Sequence, residues 1–115
     1  MADIKELTQA ILAFRDARNW SVFHNPKDVA LSLMLEAAEV AEHFQWKNES
    51  EIQEHVSAHR AEVGDELADV LYWVLLLSHD LGIDITAAFQ LKMAKNERKY
   101  PVERARDKHT KYTDL

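Results

Sequence analysis

Apolar side chains recur at helical spacing along most of the chain, and this pattern predicts an all-α fold. The first series begins behind Asp3, a candidate N-cap, and fades near Arg18. The second begins at Asn25-Pro26, where Asn can cap the helix and Pro suits its first turn, and runs to about Gln45. Its apolar residues cover nearly every side, which is typical of a helix buried in a bundle or at a subunit interface.

Two helical segments follow the second helix. Ser50 and Gln53 fit a capping box at the start of the shorter segment, which should be interrupted within residues 56–59. The longer segment covers residues 60–81, and Gly82 suits the left-handed conformation that often ends a helix.

A fourth main helix starts behind Asp84 and should end before Tyr100-Pro101, because the residue before a proline disfavours helical backbone. The tail from Val102 shows no clear period, so we expect it to lie extended. The sequence therefore predicts one domain over residues 1–115: an all-α, four-helix bundle with an extended C-terminal tail.

Composition narrows the structural class further. Two glycines and two prolines are too few for a sandwich or barrel, since those folds turn every 8–12 residues or so. No cysteine is present, which excludes disulfides and cysteine-based metal sites. The longest apolar run, residues 70–77, is too short for a bilayer span of about 20 residues, and the first residues lack the apolar stretch of a signal peptide. We expect a cytoplasmic protein with no membrane partner.

The net charge of −6 is unevenly distributed along the chain. Residues 1–91 carry 16 acidic and 6 basic side chains, whereas residues 92–115 carry 4 and 8. An acidic body repels phosphates, so no nucleic-acid partner is expected. The division suits carboxylates that hold a cation and a tail that meets an anion, but it also fits two solvated surfaces of opposite sign.

Two carboxylate pairs lie within apolar helices rather than at helix ends: Glu36 with Glu39, and Glu66 with Asp69. Each pair is spaced i, i+3, about 60° apart around a helix, so its members lean the same way. If the two helices pack side by side, the acids converge, which is destabilising unless a cation neutralises them. Oxygen ligands favour Mg²⁺ or Mn²⁺, and Mg²⁺ commonly also binds substrate phosphates. The same spacing also fits an acidic surface facing solvent.

Aromatic rings accompany the acids. The helical wheel places His43 and Trp73 one turn beyond the two pairs, and Trp46 two turns beyond the first pair, all in the same sectors as the acids. The connector after the first helix contains Trp20 and Phe23, which is unusual for a solvent loop. Such rings can stack on a nucleobase, at roughly 1–3 kcal/mol per base, or they can form ordinary core packing.

Two other kinds of metal site fit parts of the sequence less well. A di-iron bundle uses Glu-x-x-His on two helices, where this chain has Glu-x-x-Glu and Glu-x-x-Asp, which weakens that interpretation. His55 and His59, spaced i, i+4, could bind zinc, but neither an HExxH motif nor a third ligand accompanies them. A surface histidine pair is the simpler interpretation.

These motifs resemble the MazG-like all-α nucleoside triphosphate pyrophosphohydrolases and look most similar to their dCTP pyrophosphatase branch. The ExxE…ExxD pattern carries the resemblance, which covers roughly residues 10–115. Four local segments support it: WSVFH at 20–24, EHFQWK at 42–47, KM at 92–93 followed by YP at 100–101, and KYT at 111–113.

The resemblance implies Mg²⁺-dependent hydrolysis of a nucleoside triphosphate, with dCTP or a related pyrimidine nucleotide expected, to the monophosphate and pyrophosphate. It implies four metal ligands: Glu36, Glu39, Glu66 and Asp69. Glu36 or Glu39 would act as the catalytic base. It also implies a homodimer or homotetramer.

The expected substrate contacts are Trp20, Phe23, His24, Trp46, Trp73, Lys92 and Asn96. Trp73 stands where the branch often carries Tyr, and Ile11 stands where it can carry a base-contacting His. His24 could equally act as a capping partner beside Pro26. The main functional alternative is a non-enzymatic, acidic helical adaptor.

Overall fold

The computed structural model describes all 115 residues and contains helices but no strands, which confirms the all-α prediction. Six α-helices follow one another: α1 Ile4–Ala17, α2 Pro26–Glu42, α3 Glu49–Ala58, α4 Arg60–Asp80, α5 Ile85–Lys99 and α6 Val102–Ala105. Two short 3₁₀ helices cover Trp20–Phe23 and Tyr112–Asp114. The four main helices expected from the sequence correspond to α1, α2, α4 and α5.

Side-chain caps determine where several helices begin. Asp3, Asn25 and Asp84 each accept a hydrogen bond from a backbone N–H in the first turn, as their positions predict. The predicted capping box of Ser50 and Gln53 is wrong, because the box is formed by Asn48 and Glu51. The Asn48 side chain accepts from the Glu51 N–H, and the Glu51 carboxylate accepts from the Asn48 N–H. Ser50 lies inside the first turn, where its hydroxyl donates to the Asn48 side chain.

Backbone contacts divide the chain into two compact units, Met1–Gly82 and Ile83–Leu115. In the first unit, α2 packs along α4, and α1 also packs on α4. Val29, Leu75 and Leu76 are at most 2% exposed and form the centre of this core. The unit therefore presents α2 and α4 side by side, which is the arrangement that the carboxylate prediction required.

A partly buried ion pair joins the ends of α1 and α4. The Arg15 guanidinium donates to the Asp80 carboxylate at 2.8 Å, and only 9% of the Arg15 side chain is exposed. The Arg15 Nε has no hydrogen-bond partner and is inaccessible to solvent. Asp80 is therefore the main compensation for a charge placed largely inside the protein.

Two boundaries differ from the sequence-based expectation. Helix α2 ends at Glu42 rather than near Gln45, and the following turn includes Trp46 with a φ of 66°. The tail is also less extended than expected, because it contains α6 and a 3₁₀ turn. Within the second unit the Tyr112 ring packs edge-on to Tyr100, and the Lys99 ammonium lies 4.6 Å from the Tyr112 ring centre.

No single helix is long and apolar enough to cross a membrane. Taken together as a bent pair, α4 and α5 meet the requirement by length and composition only, and buried core helices meet it as well.

Candidate functional site

Three carboxylates from α2 and α4 converge in the first unit. One oxygen from each of Glu36, Glu39 and Glu66 lies within 4.8 Å of the others. We call these three residues the acidic cluster. The i, i+3 spacing places both α2 acids on the same side of that helix, and the packing of α2 along α4 brings Glu66 to meet them. The convergence predicted for these three residues is thus present in the fold.

Asp69 lies beside the acidic cluster rather than within it. Its side chain is exposed, and its oxygens are outside the group of mutually close atoms. It lines the same cavity as Glu36, and its charge contributes to the raised pKa of Glu36. Three of the four predicted carboxylates therefore converge, and the fourth, Asp69, lies beside them in the adjoining cavity.

The cluster perturbs the titration of its own members. Burial, followed by the adjacent Glu39 and the charges of Asp69 and Glu66, raises the pKa of Glu36 from 4.5 to about 6. The pKa of Glu66 is also raised, chiefly by its interaction with Glu39 and by burial, whereas His43 opposes the rise. Both directions agree with repulsion among the ionised carboxylates, added to the cost of burying them.

The donor atoms of the cluster fit a hard divalent cation. Ligand oxygens bind Mg²⁺ or Ca²⁺ at about 2.0–2.6 Å, so two ligands of one ion are separated by at most about 4–5 Å. The three carboxylates meet this limit. The Glu36 Oε2 atom is moreover inaccessible and lacks any hydrogen-bond partner. Such an atom is satisfied when it coordinates a cation.

An aromatic cavity of about 460 Å³ adjoins the acidic cluster. Its lining comprises Ala10, Ile11, Phe14, Trp20, Glu36, Asp69, Tyr72 and Trp73. Helix α1, the first 3₁₀ helix, α2 and α4 all contribute to it. Because Glu36 belongs to both features, the cavity has a charged end and a ring-lined wall.

The rings of the aromatic cavity contact one another edge to face. Phe14 lies 5.7 Å from Trp20 and 6.3 Å from Tyr72, between ring centres, and Tyr72 lies 4.9 Å from Trp73. Trp20 and Trp73 were predicted site residues, whereas Phe14 and Tyr72 were not. Phe14 falls within the first apolar series, which predicts a helix but no site, and Tyr72 lies outside the wheel sector of the acids. The packing of α1 on α4 brings both rings to the cavity.

His24 lies next to this wall of rings. Its ring packs edge-on against Trp73 with 5.6 Å between the centres. The His24 Nδ1 atom is inaccessible and has no hydrogen-bond partner. A buried nitrogen of this kind has free capacity for a hydrogen bond, and the substrate role of His24 stays a prediction.

Four other predicted contact residues are neither members of the acidic cluster nor part of the lining of the aromatic cavity. Trp46 is 90% exposed and Phe23 is 70% exposed. The predicted helical-wheel position of Trp46 is wrong, because α2 ends at Glu42 and Trp46 is not part of the helix. Lys92 and Asn96 are on α5, in the second unit. The substrate roles of all four residues stay predictions.

A row of histidines adjoins the acidic cluster near Glu66. His43 contacts His55, and His43 Nε2 lies 4.0 Å from a Glu66 oxygen. The sequence indicated His43 through its wheel position but not its contact with His55, which belongs to another helix. The pairing of His55 with His59 alone was therefore an incomplete description.

Comparisons with known proteins agree with these features. A family model described as MazG-like matches residues 31–115. The chain belongs to the MazG-like family. This membership confirms the resemblance inferred from the ExxE…ExxD pattern, and the matched residues include the acidic cluster and most of α2.

The chain is also similar over most or all of its length to proteins named as pyrophosphatases. dCTP pyrophosphatase 1 from Bos taurus is 38% identical over all of this chain and 68% of its own length, and the Homo sapiens protein of that name is 38% identical over all of the chain and 67% of its own length. A solved pyrophosphatase from Archaeoglobus fulgidus DSM 4304 superposes with a TM-score of 0.81 at 40% identity. That match covers 88% of this chain and 94% of the solved one.

Proposed function

We propose that this chain is a nucleoside triphosphate pyrophosphatase that requires a divalent cation. The observation that carries the proposal is the position of Glu36, which belongs to the acidic cluster and also lines the aromatic cavity. A nucleotide has the corresponding two parts, a charged phosphate chain joined to a flat base. The names of the relatives and of the solved neighbour support the same reaction class.

Glu36, Glu39 and Glu66 would hold the cation, and Asp69 is the neighbouring candidate for a fourth ligand. Mg²⁺ is the proposed ion because the donor set consists of oxygens, and Mn²⁺ accepts similar ligands. When bound, Mg²⁺ neutralises phosphate charge and lowers the pKa of a coordinated water. Without the ion, the same carboxylates would repel the phosphates.

The carboxylates at the charged end of the aromatic cavity would carry out the hydrolysis. Water attacks the α-phosphorus, and the bond from that atom to the oxygen bridging the α- and β-phosphates breaks. Pyrophosphate leaves with the bonding electron pair, and the water oxygen stays on the monophosphate. Glu36 or Glu39 accepts the proton from the water.

A pyrimidine deoxynucleotide, with dCTP as the first candidate, is the proposed substrate. Trp20 and Trp73 offer ring faces in the cavity wall, and stacking tolerates every base. Selectivity therefore requires polar contacts, for which the buried His24 Nδ1 is the candidate. Ile11 in the same wall offers no hydrogen bond.

The proposed assembly is a homodimer or homotetramer. Leu31, Met34 and Leu35 on α2 are 45%, 58% and 61% exposed in the single chain. Burying this apolar face against a second copy would remove it from water. Sedimentation velocity should show an oligomer at micromolar concentration, and Leu35→Glu should shift the protein toward monomer. A monomeric parent protein would contradict the proposal.

The decisive assay incubates the chain with each deoxynucleoside triphosphate and Mg²⁺ and separates the products. We expect a monophosphate and pyrophosphate, with ¹⁸O from labelled water in the monophosphate. Glu39→Gln should abolish turnover, whereas Glu54→Gln on α3, outside the acidic cluster, should keep it. Release of orthophosphate, or turnover that persists in EDTA, would refute the proposal.

A further inference from the structure

A histidine row, which we define as His43, His55 and His59, extends away from the acidic cluster. His43 Nδ1 lies 2.8 Å from His55 Nε2, and the His55 and His59 rings lie 4.6 Å apart between centres, at 30°. His59 Nδ1 in turn lies 3.0 Å from the Glu62 carboxylate. The proposed hydrolysis uses none of these imidazoles, so their arrangement requires a separate account.

A second cavity, also of about 460 Å³, gives access to the first two imidazoles. Its lining consists of Glu39, Glu42, His43, His55 and Glu66. Glu39 and Glu66 also belong to the acidic cluster, so the two features share a wall. The second cavity thus combines nitrogen donors with oxygen donors, which the acidic cluster does not.

This mixed donor set has a different metal preference from that of the acidic cluster. Carboxylates alone suit Mg²⁺, whereas imidazole nitrogens suit Zn²⁺, Ni²⁺, Cu²⁺ and related ions. We propose that the second cavity is a binding site for a transition-metal ion of the Zn²⁺ type, with His43 Nδ1 and His55 Nε2 as its nitrogen ligands. Water, or a carboxylate oxygen of the cavity after a side-chain shift, would complete its coordination.

The distance between the two nitrogens is close to what such an ion needs. Zn–N bonds are about 2.0–2.1 Å long, so two nitrogens on a tetrahedral ion lie about 3.3 Å apart. The present 2.8 Å corresponds to a shared proton, and a separation increase of about 0.5 Å would admit the ion. The His43 side chain is 14% exposed and His55 is half-buried, so both are accessible from the cavity.

The electrostatic surroundings favour this exchange of a proton for a metal. Three carboxylates line the cavity and attract a divalent cation. Histidine binds a metal only as the neutral imidazole. The 2.8 Å contact between His43 Nδ1 and His55 Nε2 requires one of these two nitrogens to be an unprotonated acceptor.

The test measures metal binding by the full chain without a histidine tag, and it requires no turnover. Co²⁺ is the probe, because nitrogen-ligated tetrahedral Co²⁺ absorbs visible light far more strongly than Co²⁺ in an octahedral oxygen site. We expect strong bands in the presence of excess Mg²⁺, and Zn²⁺ should remove them by displacement. Competition then gives the affinity for Zn²⁺.

Variants distinguish this site from the acidic cluster. His43→Asn and His55→Asn should each weaken Zn²⁺ binding by at least about tenfold. Even the loss of a group that only hydrogen-bonds to a metal ligand lowers metal affinity about 10- to 100-fold. His79→Asn, an exposed position on α4, is the matched control and should change nothing. Glu36→Gln should keep the Co²⁺ bands although it removes a carboxylate of the cluster. Circular dichroism checks that each variant is folded, and His43→Gln replaces His43→Asn if the latter is not.

Three results would overturn the proposal. The first is equal Zn²⁺ affinity in the folded His55→Asn and His79→Asn variants. The second is loss of the Co²⁺ bands on adding Mg²⁺, which would place the ion on the carboxylates alone. The third is loss of the bands in Glu36→Gln. Each can occur whether or not the chain hydrolyses nucleotides, so the two proposals fail separately.

Discussion

Replacing Glu36 with glutamine should stabilise the metal-free protein. The substitution preserves side-chain size and removes one charge from the acidic cluster, where carboxylate oxygens of Glu36, Glu39 and Glu66 lie within 4.8 Å. The Glu36 Oε2 atom has no hydrogen-bond partner, and a glutamine amide can donate to the neighbouring carboxylates. Glu36→Gln therefore relieves repulsion that the parent protein retains in EDTA.

The magnitude follows from the pKa of Glu36. The difference between 4.5 and about 6 corresponds to about 2 kcal/mol at 1.36 kcal/mol per pH unit. Because the side chain is only half-buried, solvent screening reduces this to about 1–2 kcal/mol. For a chain of this length that free energy raises the unfolding temperature by about 3–10 °C.

The pH dependence has a definite sign. The pKa of Glu36 is higher in the folded state than in the unfolded chain, so folding favours the neutral carboxyl. The parent protein has this stability below about pH 4.5 and loses it as the pH rises through about 6. The advantage of Glu36→Gln should thus be small near pH 4.5 and complete by about pH 8.

Thermal unfolding followed by circular dichroism at these two pH values, in EDTA, measures the effect. With excess Mg²⁺ the order should reverse, because the parent protein binds the ion more tightly and gains more from it. Glu54→Gln removes a charge from exposed α3 and serves as the control. Equal unfolding temperatures at pH 8, or the same rise at both pH values, would refute the reasoning, as would an equal rise in Glu54→Gln.

Three further predictions concern turnover, substrate binding and stability. Glu39→Gln should lower kcat at least 100-fold or so, because it removes a metal ligand and a candidate base, while circular dichroism stays unchanged; turnover within twofold or so of the parent would contradict this. Trp73→Ala should raise KM for all four deoxynucleotides, whereas His24→Ala should mainly flatten the preference for a pyrimidine; an unchanged dCTP-to-dATP ratio of kcat/KM would remove His24 as a base reader. Asp80→Ala should cost about 2–3 kcal/mol in urea unfolding, since it leaves Arg15 unpaired and largely buried; a loss below about 0.5 kcal/mol, typical of surface substitutions, would show that the pair is dispensable.

The acidic cluster was predictable because it depends on geometry within single helices. Glu36 and Glu39 lie mid-helix, where the i, i+3 relation is insensitive to the helix ends. Only the packing of α2 along α4 had to be assumed, and the apolar character of both helices supported it. Asp69 shows the limit of this reasoning: a wheel gives the direction of a side chain but not its distance from an acid on the facing helix.

The rings of the aromatic cavity were only partly predictable for a related reason. Trp73 follows from the wheel of α4, and Trp20 from its position in a connector that is unusually rich in rings. Phe14 and Tyr72 are brought together by the packing of α1 on α4, with 6.3 Å between their centres. That contact joins residues far apart in the sequence and leaves no local pattern in either helix.

Helix α2 ends earlier than its sequence pattern predicts. This early end explains why the predicted position of Trp46 is wrong and why the contact between His43 and His55 was not predicted. A helix continuing to Gln45 would have kept Trp46 in the wheel sector of the acids. Instead α2 ends at Glu42, and Trp46 adopts a φ of 66° in the turn that precedes α3. This turn exposes the tryptophan and lets His55 of α3 reach His43 at the C-cap of α2. Sequence periodicity determines helix ends poorly. Neither the exposed position of Trp46 nor the contact between His43 and His55 could therefore be predicted from the sequence.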